Sequence, residues 1–140
     1  MSPQAKMRIA TVLVAIGANA LHIYLAAISR VGGVAAFIAQ REREYALSTC
    51  FECTLTNDFV IHVLWFGGPF YLLAAAAFTT RSSSIIGWTI AAIVGLVVVD
   101  IAWYPSSGQG DWYVVLSPIV FGVIAAVALL VLVLAGNRRG

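Results

Sequence analysis

Charge is what this chain has least of. Only 10% of its 140 residues are Asp, Glu, Lys or Arg, against about 25% in soluble domains. That scarcity excludes an ordinary water-soluble fold. The net charge of +2 and the lack of a basic stripe interleaved with aromatics exclude a nucleic-acid-binding surface. Histidine and cysteine occur twice each, so imidazole and thiol chemistry are confined to His22, His62, Cys50 and Cys53. No stretch alternates apolar and polar residues as a transmembrane β-barrel strand does. Helices are then the remaining way to satisfy the backbone in lipid.

What is present is apolar length. The chain is 61% hydrophobic with a mean hydropathy of +0.96. Four windows, 9–29, 58–79, 85–104 and 112–135, match the roughly 20 residues of helix that cross a hydrocarbon core of about 30 Å. With short linkers these make a single all-α integral membrane domain over 1–140, a four-transmembrane-helix bundle. Lys6 and Arg8 before the first window would also suit an export signal, but the run is long for one and contains Asn19 and His22, so it reads as a retained span. Lys6, Arg8, Arg81, Arg138 and Arg139 fall on one side, and Arg30, Arg41 and Arg43 on the other. The positive-inside rule then places both termini in the cytoplasm and the protein in the cell membrane.

The connections differ in length. Residues 80–84 form a tight turn, which makes the second and third spans antiparallel neighbours. Residues 105–111, rich in Pro and Gly, read as a second short loop that ends the third helix. The first connection, 30–57, is long enough to cover a site. Phe37, Ile38, Arg41 and Tyr45 can share one face of an interfacial helix there, entered through Gly32-Gly33.

The rare polar residues fall at one depth. At 1.5 Å per residue, His22 lies about 10 Å below the end of its span, His62 about 7 Å inside the second, and Asp100 about 6 Å beneath Pro105. Asp58 stands at the mouth of the second span. Ionisable groups in hydrocarbon cost roughly 2.5–3.5 kcal/mol on insertion scales and by default face a bundle interior with a functional role. Asp58 with His62, and Asn19 with His22, have the spacing of helical neighbours. Trp65, Trp103 and Tyr104 lie near the same level, as walls of a pocket or as interfacial anchors.

This set supports several chemistries. A carboxylate beside an imidazole moves protons, so Asp58, Asp100, His22 and His62 are candidate acid/base groups for isomerising or cyclising a small lipophilic substrate. Asn19, Trp65, Trp103 and Tyr104 would contact that substrate. His22, His62 and Asp100 also form a candidate transition-metal set, and the two imidazoles a candidate haem ligation. Structural alternatives stand beside these: Asp58 as a helix N-cap, and His22 with Asp100 as an interhelical staple. A further alternative is an accessory or assembly subunit of a larger membrane complex, or a homo-oligomer, whose intramembrane polar residues pair with another chain.

Cys50-Phe-Glu-Cys53 is the remaining chemical feature. The motif, its place before the second span and the helix count resemble the quinone-linked bacterial disulfide oxidases. That resemblance implies a redox-active disulfide between Cys50 and Cys53; a structural disulfide or two free thiols are the other readings of the pair. The chain departs from the family in having no second cysteine pair in 105–111 and no arginine following Cys53.

Overall fold

A computed structural model describes residues 1–47, 55–107 and 111–138. Among them the secondary structure is entirely helical. Helix α1 spans Pro3–Ile23, α2 Val34–Leu47, α3 Leu55–Thr79, α4 Ser83–Ser107 and α5 Asp111–Arg138. Four apolar segments are long enough to cross a membrane: Pro3–Val31, His62–Thr79, Ser83–Tyr104 and Val115–Arg138. The chain is a multi-pass helical membrane protein by this architecture.

Helix α1 begins where Ser2 Oγ accepts the Ala5 amide at 3.1 Å, with Pro3 in the first turn, where its missing N–H costs nothing. Just past His22 the helix widens into a π turn, Tyr24–Ile28, and then tightens into a 3-10 turn, Ser29–Val31. Gly32 and Gly33, at φ of 96° and 121°, turn the chain into α2, a conformation that a side chain would resist. Helix α2 packs on these turns and on α3, and it buries no residue fully. It occupies the expected interfacial segment.

Several helix ends lie outside the expected windows, with α1 starting at Pro3, α4 at Ser83 and α5 ending at Arg138. Helix α4 continues through Pro105 to Ser107, although the proline gives up its own amide hydrogen bond there. Helix α3 starts at Leu55, before the expected 58. Pro69 and Pro118 lie within α3 and α5 without ending them; in lipid the helix is the one local structure that satisfies the surrounding amides.

Helix α3 is the central element, packed against α1, α4 and α5. Ala15, Ala18, Ala74 and Ala125 let the backbones approach, and Phe70, Leu73, Ile93, Leu96 and Phe121 fill the space between them. Outward-facing side chains are large and apolar, among them Leu13, Leu64, Val98, Val127 and Leu130, as a lipid contact requires. At the end near the N-terminus, Arg8 donates to the carbonyls of Ala77 (3.0 Å) and Thr80 (2.8 Å). The cation thereby satisfies carbonyls left over at the C-terminus of α3.

Close approach is most demanding at Gly67. A Cβ there would collide with the Asn19 side-chain amide and lie 2.7 Å from the Tyr71 ring, whereas a Cβ on Gly68 would meet nothing within 4 Å. Gly67→Ala is expected to cost about 1–3 kcal/mol through overpacking, and Gly68→Ala less than about 0.5 kcal/mol. Unfolding of the two variants in mixed detergent–SDS micelles measures the difference.

Candidate functional site

The polar centre is built by α1, α4 and α5. His22, Asp100, Tyr113 and Ser117 have relative exposures of 0%, 1%, 0% and 0%, so each must find its polar partners inside the bundle. Tyr113 and Ser117 are four residues apart on α5 and share a face. The Tyr113 hydroxyl donates to Asp100 Oδ1. His22 Nε2 lies 3.0 Å from Ser117 Oγ, and His22 Nδ1 lies 3.5 Å from Asp100 Oδ2. Those last two atoms face each other without forming a hydrogen bond. The result is a line of hydroxyl, imidazole, carboxyl and phenol crossing three helices.

Aromatic rings enclose this line. Phe66, Phe70, Tyr113 and Phe121 lie 5.1, 5.9, 5.8 and 5.3 Å from the His22 ring, centroid to centroid. Trp103 packs edgewise on Tyr113 and Phe121. Tyr104 packs on Tyr113, and its hydroxyl is 2.9 Å from Ser29 Oγ. A dry, aromatic enclosure strengthens each electrostatic contact within it. Asn19, one turn before His22 on α1, donates to the Tyr71 hydroxyl at 2.8 Å and the Val63 carbonyl at 3.3 Å. Its Oδ1 is buried with no hydrogen-bond partner.

His62 belongs to a different compartment. A cavity of about 510 Å³ lies where the ends of α1 and α3 meet α2, with Arg30, Gln40, Arg41 and His62 among its walls. Phe66 and Ala26, both buried, form its inner side. The Phe66 ring lies 5.6 Å from His62 as well as 5.1 Å from His22, so one aromatic side chain contacts both imidazoles. Phe37 of α2 covers His62 from the other side at 6.0 Å.

The expected site residues are therefore partly gathered. His22 and Asp100 meet, with Trp103 and Tyr104 against their partner Tyr113. The expected metal set of His22, His62 and Asp100 is not assembled: among the described residues no group of three or more His, Cys, Asp or Glu side chains is placed to hold a metal ion. Packing of both imidazoles on Phe66 accounts for this. Trp65, expected as a wall, is 47% exposed, and its neighbour Phe66 makes the ring contacts instead. The side chain of Asp58, and Cys50 and Cys53 with their expected redox role, lie outside the described residues. Tyr113 and Ser117 were not singled out as site residues by the sequence, because a hydroxyl near a span end has no distinctive cost. Their i,i+4 spacing is the one available signal.

Removing either hydroxyl tests the line. Tyr113→Phe is expected to destabilise the bundle by about 1–2 kcal/mol, since it takes a donor from a buried carboxyl, and Ser117→Ala by about 0.5–1 kcal/mol. Unfolding in mixed micelles gives the order. The imidazole nitrogen resonances of His22 should move in both variants.

No family model, curated protein or solved structure matches the chain, so its placement rests on its own architecture, that of a small multi-pass membrane bundle with a buried polar line.

Proposed function

We propose that this chain is a cell-membrane enzyme that transfers a proton on a small lipophilic substrate, as an isomerase or cyclase does. The single observation that carries the reading is the buried line from Ser117 through His22 to Asp100 and Tyr113. A hydroxyl, an imidazole and a carboxyl stand in that order, and a carboxyl 3.5 Å from Nδ1 stabilises the protonated imidazole by its charge. His22 is the group that exchanges the proton with substrate. Asp100 supports the imidazolium, while Tyr113 and Ser117 fix the two groups in position.

The reaction balances without a second reactant. Nε2 of His22, on release from the Ser117 hydroxyl, takes a proton from one substrate carbon, and the electron pair left behind shifts along the adjacent double bond. The same proton, or one exchanged from solvent, returns to another carbon. Proton transfer by a positioned side chain contributes about 10²–10⁴-fold to rate, and in surroundings of low polarity the Asp100 carboxyl attracts the imidazolium more strongly than it would in water. In this reading both termini are cytoplasmic, α2 lies on the outer face, and His62 stands at the entrance.

One observation favours a second reading. His22 and Asp100 are closed off on every side, as an interhelical staple would be, and an accessory subunit of a larger complex needs nothing more from them.

Deuterium incorporation separates the two. Purified protein incubated in heavy water with a membrane lipid extract is expected to place deuterium on one lipophile, detected by mass spectrometry. Asp100→Asn and His22→Gln should slow the incorporation at least about 100-fold while leaving the bundle folded. An extract that gains no deuterium from the wild-type protein, with Asp100→Asn altering stability alone, would establish the staple.

A further inference from the structure

We propose that the cationic end of the bundle, where α1 begins and α3 ends, binds one anionic phospholipid by its phosphate and one acyl chain. This site stands apart from the proton centre. Contacts between the two helices bring the cations together: Arg8 donates from Nε and Nη2 to the Ala77 and Thr80 carbonyls, and the Gln4 side-chain amide donates to the Arg81 carbonyl. Residues 4–8 thus lie against residues 77–81. Lys6 and Arg81 are exposed there, and the Arg8 guanidinium has more N–H groups than its two carbonyl bonds use.

Charge distinguishes this end of the bundle from the other. The six acidic side chains of the sequence are Glu42, Glu44, Glu52, Asp58, Asp100 and Asp111, and none falls within 1–13 or 76–90, the stretches that form it. Asp100, on α4, lies about 25 Å along the axis from Ser83. A zwitterionic head would bring its ammonium among Lys6, Arg8 and Arg81 with no carboxylate to pair it. A phosphate diester without that ammonium gains from all three cations, and guanidinium groups meet phosphate through paired, directional hydrogen bonds. Basic recesses between membrane helices hold anionic heads in this way.

A groove for the tail opens directly below these cations. Ala5, Arg8, Ile9, Val12 and Leu13 line it from α1 and Phe78 from α3, around a volume of about 350 Å³. From Ala5 to Leu13 it follows α1 for about 12 Å, away from the charges and into the hydrocarbon. Ile9, Leu13 and Phe78 are exposed apolar walls. The Arg8 guanidinium lies 5.9 Å from the centroid of the Phe78 ring, so a single residue carries both the charged mouth and the top of the apolar channel.

The test uses the full chain in dodecyl maltoside micelles, with native mass spectrometry counting bound dioleoylphosphatidylglycerol. Saturation at one lipid per chain is expected, at least about tenfold tighter than for dioleoylphosphatidylcholine. Lys6→Gln and Arg81→Gln, both at exposed positions that spare the Arg8 contacts, should each weaken binding about fivefold. Arg43→Gln removes a cation from the opposite end and should leave binding unchanged. Glycerophosphoglycerol, the same head without its chains, should not displace the lipid at equal concentration. Equal retention of the two lipids, undiminished binding in both Lys6→Gln and Arg81→Gln, an equal loss in Arg43→Gln, or displacement by the chain-free head would overturn the assignment.

Discussion

Burying a carboxyl and an imidazole in hydrocarbon dictates how three of the four spans must rotate. Hydrocarbon offers such groups no hydrogen-bonding partner, and Asp100 and His22 instead lie beside each other and the hydroxyls of Tyr113 and Ser117. Any rotation of α1, α4 or α5 by one residue, about 100°, would leave at least one of these groups facing lipid. Apolar packing in a membrane is weakly directional, since lipid tails are as apolar as leucine. The polar line therefore supplies the orientation that the alanine-rich core does not.

Helix α3 contributes no group to that line, yet the line is enclosed by it. Phe66 and Phe70 cover His22, and Gly67 allows Asn19 to reach the Val63 carbonyl. A bulky phenyl and an absent side chain at adjacent positions perform opposite tasks: one excludes water, the other admits an amide. The π turn after His22 belongs to the same region. Such turns cluster at functional sites, and this one lies between the buried imidazole and the rim occupied by Arg30.

Much of the architecture was legible in the sequence because the cost of polarity in lipid is large and one-sided. The number of spans and the long first connection follow from it, and the placing of His22 beside Asp100 is one of the alternatives it leaves open. Depth was readable from 1.5 Å per residue, but rotation was not. His62 lies near the expected layer and nevertheless faces a separate cavity, on the other side of Phe66. Tyr113 and Ser117 escaped notice for a related reason: a hydroxyl near a span end costs little when unpaired, so its presence announces nothing. Pro105 does not end its helix, just as Pro69 and Pro118 do not end theirs, because in lipid the helix is the one local structure that satisfies the surrounding amides.

Phe66 is the thinnest part of the molecule in a functional sense. On one side of its ring lies the arginine-lined cavity, and on the other a carboxyl and an imidazole sealed from solvent. The watertightness of the bundle at this point is one side chain deep. Its permeability is set by the packing of a phenyl ring and not by the closure of a loop. A smaller residue at that position would remove the ring that both imidazoles pack on, and with it the partition between the two compartments.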